Sequence, residues 1–334
     1  MDTMRSSVIV EYNGVEASDV FTSDCNSFTW CDNANGKSDT ATFDLRNPDL
    51  KWLKGFYPEE TDTFKAWIKT EEWAANEKAG KLYCGKFAVD EIVFRGFPER
   101  LQLSGISVPI KNNFNVRQKN RSWSKTTVKT ILSDIANEAE IKLMYEADDI
   151  NVDSVNQSGK TDLSFAYSIC SDYDLAIKIY NDKMIVYDQT VYEKADAKYT
   201  IHRKDIELYG IARQNTEIYD GVKIQYTNSK GNSLSYEFTV PGTAGKRQMF
   251  ISTQADSLAD AEKKAKAALR KNRRECKVIT ITLLGGTKYL AAECFELSDF
   301  GMLDGKYFID SVTHQRTDGK YTTSIKAHGT VTEF

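Results

Sequence analysis

Residues 85–92 read GKFAVDEI, and residues 305–312 read GKYFIDSV. Both are Gly-Lys-aromatic-x-aliphatic-Asp-x-aliphatic. Each is followed by a turn and a second run ending in glycine, LQLSG at 101–105 and IKAHG at 325–329. In an extended strand the aromatic and aliphatic side chains fall on one face, and glycine opens the strand where the chain must bend. The glycine-to-glycine spans are 20 residues (85 to 105) and 24 residues (305 to 329). Loop-length drift between fixed strand ends is what duplicated β-units show, because loops tolerate insertion and cores do not. Gly85, Phe87 and Asp90, with Gly305, Tyr307 and Asp310, therefore form the signature of an internal repeat. The two aspartates are expected to serve a turn or a backbone N–H, a structural role.

Working outward, both flanks read as β-structure. SSVIVEYNGVEAS (6–18) is a hairpin whose Asn13-Gly14 pair suits a type I′ turn. SFTWCDNANGKSDTATFDL is a second hairpin with Asn35-Gly36 in its loop, and Pro109 marks a boundary near 110. From about Tyr199 strands return: the hairpin YDGVKIQYTNSKGNSLSYEFTV, then VITITLL, CFELSD, KYFIDSVTHQ and KYTTSIKAHG. One helix interrupts them over 257–272. Ser257 three residues before Asp260 has capping-box spacing, and Leu258, Ala261, Ala265, Ala268 and Leu269 make a stripe suited to packing on a sheet.

Between the flanks, RSWSKTTVKTILSDIANEAEIKLMY (121–145) is different in kind. Val128, Ile131, Leu132, Ile135, Ala136 and Ala139 share one helical face, and Ser124 or Thr126 can cap the start. A strand over 141–147, a second helix over 163–173 and a hairpin turning at Asn181-Asp182 complete an α/β insert with its own small core. The organisation expected is α+β, mainly β: β-domains at 1–110 and 198–334, with an α/β insert at 111–197.

Composition bounds the function. A chain of 334 residues exceeds one ordinary core, and 41% hydrophobic with 11% aromatic residues can build several. With 44 Lys+Arg against 48 Asp+Glu the net charge is -4, which makes no case for specific nucleic-acid binding. No apolar run suits a membrane anchor, and the N-terminus lacks signal-peptide layout, so synthesis is expected in the cytoplasm. Six scattered cysteines without a CxxC read as reduced core residues.

The runs GKFAVDEIVFRGFPERLQLSGIS and RSWSKTTVKTILSDIANEAEIKLMY, with the second patch at Leu258–Gly329, resemble the phage late control gene D family, the baseplate hub proteins of contractile tails and tail-like particles. The Ser122-Trp123-Ser124 box and Thr126-Thr127 carry most of the likeness. The resemblance implies two tube-type antiparallel β-barrels with additional domains, assembled as a homotrimer of pseudo-sixfold symmetry. Such a ring would join a hexameric tail tube protein to a trimeric spike protein. Baseplate wedge proteins and the tape-measure protein are the other implied partners, and the mature location is a virion tail baseplate or tail-like particle. Edge strands of neighbouring barrels would pair across subunits.

No enzymatic motif competes with this. His202, His314 and His328 are too few and too separated for a metal or a triad, and no HExxH, GxSxG or P-loop occurs. Paired carboxylates such as Asp148-Asp149 read as solvated surface. No catalytic, metal or cofactor-binding residue is expected. The basic end of the late helix, Arg270, Lys271, Arg273 and Arg274, complements the helix dipole or serves an interface. The alternative reading is a β-rich receptor- or glycan-binding module of the same kind of particle, suggested by Trp30, Trp52, Trp67, Trp73 and Trp123.

Overall fold

The computed structural model describes residues 5–71, 79–108, 114–213, 218–227, 231–255, 257–317, 320–331 and 334. Pro109 and Trp73 lie outside the described residues. The chain is mainly β, and its largest element is a 13-stranded sheet. Six strands of the first third are hydrogen-bonded in the order Cys25–Asn33, Thr40–Arg46, Arg100–Ile106, Gly80–Arg95, Thr63–Glu71, Arg5–Tyr12. Six from the last third follow the order Ile206–Arg213, Lys277–Leu284, Lys320–Gly329, Gly305–Thr317, Cys294–Ser298, Tyr199–His202. Counted along the chain, both sets run second, third, sixth, fifth, fourth, first. They differ at the end: Arg5–Tyr12 pairs antiparallel and Tyr199–His202 pairs parallel.

The ladders match in detail. Register breaks at Asp90 between the fifth and sixth strands of the first set, and at Asp310 between those of the second. It breaks again between Cys25 and Ser27, and between Ile206 and Leu208. Gly85 and Gly305 have φ of 130° and 134°, where a Cβ is strongly disfavoured. One sequence alignment needs correction. Val89 faces Gly105 whereas Ile309 faces Ala327, so Gly105 corresponds to Ala327 and not to Gly329. Side-chain alternation has period two, so a two-residue slip leaves the pattern unchanged and the sequence could not reveal it.

Neither set closes into a barrel among the described residues, contrary to expectation. Each stays open while its strands share one core. In the first, Val10, Phe28, Phe43, Phe64, Phe87 and Leu103 meet, with Phe21 and Trp52 covering them. In the second, Ile201, Ile281, Phe295, Tyr307, Val312 and Ile325 meet. The sets are stitched into one sheet where Cys25–Asn33 pairs antiparallel with the far half of Gly305–Thr317.

The middle of the chain has its own core. Helix Val128–Glu138 buries Val128, Ile131, Leu132, Ile135 and Ala136, and Asp162–Asp172 buries Phe165, Ala166, Ile169 and Cys170. They pack with a sheet of Leu175–Tyr180, Lys183–Asp188 and Lys142–Glu146, whose hairpin turns through Asn181 and Asp182 at φ 50° and 55°. The cap is Thr127, whose hydroxyl accepts from Thr130 N, rather than Ser124 or Thr126. Those two residues lie in the strand Gln118–Thr127, paired with Asn151–Thr161.

Residues 218–276 depart from the expected second β-domain. Gly221–Thr227, Ser233–Thr239 and Gln248–Gln254 form a separate three-stranded sheet outside the large one. Helix Leu258–Cys276, capped by Ser257 through Asp260 N, packs Ala261, Ala265 and Leu269 on this small sheet. Leu258, expected in the stripe, is exposed.

Candidate functional site

Among the described residues, two of the polar joints between the units are built on buried ion pairs. At the first, Lys178 from the middle hairpin enters the first strand set and pairs with Asp32, and with Asp39 at 2.9 Å. Burial pushes Asp39 up to about 7 against the pull of the ammonium. Burial also opposes the charge on Lys178, but Asp39 and Asp32 outweigh it and raise its pKa. Around this pair, Asn35 Oδ1 accepts from Ile177 N at 3.0 Å, Gly36 N donates to Ile177 O at 3.2 Å, and Tyr187 Oη donates to Ala34 O at 2.7 Å. The Asn35-Gly36 loop, read from sequence as a plain turn, is thus a docking loop.

The second joint is centred on Glu193, which is fully buried on the short helix Gln189–Lys194. Its carboxylate accepts from Arg274 Nε and from Val331 N at 2.9 Å, and lies 3.3 Å from His328 Nε2. His328 Nδ1 reaches Asp310 at 2.7 Å, while Arg274 also pairs with Asp174. Burial alone would push Glu193 up, but His328 and Arg274 hold it below the usual carboxylate value. Burial likewise disfavours charge on His328, yet Asp310 and Glu193 raise its pKa.

This joint accounts for much of the basic helix end. Arg274 is only 8% exposed. Arg270 bonds Phe334 O at 2.9 Å and Asp174 at 3.3 Å, and Arg273 donates to Tyr219 O at 3.2 Å. Arg270, Arg273 and Arg274 are therefore engaged within the chain. Lys271 is exposed, beside a cleft of about 490 Å³ that Lys37 and Lys326 also line.

The repeat residues divide by role. Phe87 and Tyr307 point into the two cores and stack on Phe64 and Phe295 at 5.4 and 5.7 Å. Asp310 bonds His328 rather than the turn or backbone N–H expected of it, and Asp90 is exposed at the matching bulge. His314 is buried, stacked on Trp30 and bonded to Tyr321 and to the Tyr289 carbonyl. Burial pushes its pKa down to about 4, so it is neutral. His202 pairs with Asp299 at the surface. Trp30 and Trp52 are buried, which removes them from any sugar-binding platform, while Trp67 and Trp123 are half-buried. Among the described residues no group of His, Cys, Asp and Glu is placed to hold a metal ion, and no helix is long and apolar enough to cross a membrane.

Among the described residues, open strand edges of the large sheet include Tyr199–His202, most of Arg5–Tyr12, and two more strands of that sheet. Ile206–Arg213 ends it and has a partner on one side only. It exposes Leu208 and Tyr209, at 68% and 46%. The far half of Gly80–Arg95 also pairs on one side only, because Thr63–Glu71 reaches no further than Ala88.

No protein-family model matches the sequence. Two curated relatives do, each described as a probable baseplate hub protein. That of Escherichia phage 186 is 24% identical over 164 residues, 47% of this chain and 42% of the relative. That of Escherichia phage P2 is 26% identical over 160 residues, 46% of this chain and 41% of the relative. The chain thus spans about two fifths of the length of the curated relatives it matches. Solved structures extend the likeness to nearly the whole chain. A tail protein from Neisseria meningitidis MC58 superposes with TM-score 0.71 at 15% identity, covering 97% of this chain and 96% of that one. The 43 kDa tail protein of prophage MuSo2 from Shewanella oneidensis gives 0.71 at 11% identity, over 98% and 99%. The E. coli c3393 protein, a type VI secretion component, gives 0.56 at 10% identity, over 91% and 73%. In sequence nearly half of the chain is similar to probable baseplate hub proteins of phages 186 and P2, and its fold is that of tail proteins, one of them from a prophage, and of a type VI secretion component.

Proposed function

We propose that the chain is the structural hub of a contractile phage tail baseplate or tail-like injection particle, without enzymatic activity of its own. It works as a homotrimer. Each copy contributes two strand sets, so three copies place six similar units around an axis. One face of that ring matches a hexameric tail tube, and the other meets a trimeric spike. The observation that carries this reading is the common strand order of the two sets, with bulges at corresponding residues. Two units of one architecture in one chain are what a threefold assembly needs to imitate a sixfold one. The first set within 1–110 and the second within 198–334 act as domains copied from one ancestor. The insert at 111–197, bolted on through Lys178, faces the baseplate wedge proteins. The tape-measure protein is a further partner, met when the tube is seeded.

The test is co-expression of the chain with the tube and spike proteins of its own particle. The expected product is a complex of three copies of the chain with three spike chains, on which tube rings nucleate. A chain that binds neither protein contradicts the proposal.

A further inference from the structure

The joint between the two strand sets points to the contact between two copies. Inside the chain the second strand of the first set, Cys25–Asn33, pairs with the far half of the fifth strand of the second set. Val312 lies opposite Asp32, Thr313 opposite Cys31, His314 opposite Trp30 and Gln315 opposite Thr29. Phe28, Trp30, Val312 and His314 are all fully buried there. The corresponding pair of strands is the second of the second set, Ile206–Arg213, and the far half of the fifth of the first set. Both are open edges among the described residues.

The shared ladders fix which residues correspond. Phe28 opposes Phe43 and Tyr209 opposes Ile281, each just past its bulge, so Tyr209 stands where Phe28 does and Ile211 where Trp30 does. Counted from the bulges at Asp90 and Asp310, Ile92 stands where Val312 does and Phe94 where His314 does. All four replacements are apolar. They are less buried than their counterparts: Tyr209 is exposed though it packs edge-on against Phe300, and Ile92, Ile211 and Phe94, which stacks on Tyr57, are half-buried. Apolar side chains beside unpaired backbone on an edge strand are a template for another strand.

We infer that the edge Ile206–Arg213 of one copy adds antiparallel to residues 92–95 of a second copy of this chain. The register places Arg213 opposite Ile92, Ala212 opposite Val93, Ile211 opposite Phe94 and Gly210 opposite Arg95. Continued to the hairpin tip, it brings Leu208 to Phe97, which is 93% exposed. The contact joins unlike surfaces, so it closes only as a ring or runs on as a filament. The inference rests on the ring proposed above, and it names the strands and the register that close it.

The test is disulfide trapping in particles carrying the full chain with Val93→Cys and Ala212→Cys together. The corresponding internal side chains, Thr313 and Cys31, touch at 3.8 Å, so this pair is close enough to oxidise. Mild oxidation is expected to give covalent dimers and trimers on a non-reducing gel, and none above trimer. The slipped pair Val93→Cys with Gly210→Cys, and the chain with its native cysteines alone, are expected to give at least tenfold less. Assembled particles in which the matched pair stays unlinked, or the slipped pair links equally well, overturn the register while leaving the hub reading intact. A chain that forms no ring with tube and spike overturns both. As a second variant, Leu208→Lys alters an exposed position, so it is expected to leave the monomer's circular dichroism unchanged and lower ring yield at least tenfold. Undiminished ring yield contradicts the inference.

Discussion

Glu193 is the residue on which most of the second joint converges. A buried carboxylate is tolerable only when its lone pairs are met and its charge opposed, and Arg274, His328 and Val331 N do both. Arg274→Ala would take the guanidinium from Glu193 and leave Asp174 with Arg270 alone, at a cost of about 3–5 kcal/mol. Arg274→Lys should recover only part, since an ammonium cannot fork between two carboxylates as a guanidinium does. Urea unfolding of the two variants measures both. His328 supplies a pH dependence. Its folded pKa is raised above the ordinary 6.5, so the stability it adds is fully present below that value and declines as pH rises through the folded pKa. Thermal melts of the wild-type chain should therefore lose stability above about pH 6.5, and His328→Gln should remove that part of the decline. None of this was legible beforehand. The partners of Glu193 lie 81 and 135 residues away, and a basic helix end is already explained locally by the helix dipole.

At the scale of elements, periodicity was a good guide wherever one face is apolar and the other wet. Helix Val128–Glu138 buries the predicted face, and Ile131→Ala or Leu132→Ala should each cost about 2–5 kcal/mol by calorimetry or urea titration. The hairpins at Asn13-Gly14 and Asn181-Asp182 were visible because all four residues take positive φ, which these types tolerate. The strand Gln118–Thr127 escaped because QKNRSWSKTT carries one apolar residue, half-buried Trp123, and so has no pattern to read. The glycines of the repeat hairpin do different work. A Cβ on Gly105 would sit 2.6 Å from Phe64 and 2.9 Å from the Ala88 carbonyl, so Gly105→Ala should destabilise by about 1–3 kcal/mol through overpacking. Gly305→Ala would meet nothing within 4 Å, so any loss there reflects backbone strain at φ 134° alone. Comparing the two variants by thermal melts separates crowding from strain.

For the whole molecule, eight residues of sequence pointed to two units of one pattern, and the paired registers follow the same correspondence through four strands of each set. What stayed hidden is topological. The small sheet of Gly221–Thr227, Ser233–Thr239 and Gln248–Gln254 enters between the second and third strands of the second set, and alternation looks the same in either sheet. Openness was equally hidden, since closure depends on which edges meet and not on the pattern within a strand. An open sheet with apolar edges suits a part that is finished by its neighbours.

Electron cryomicroscopy of the intact particle's baseplate tests the central claim most directly. We expect one layer between tube and spike that holds three copies of this chain, with six strand sets spaced about 60° apart around the axis, as closed cyclic symmetry requires. Six copies in that layer, or density for the chain away from the axis, would contradict it.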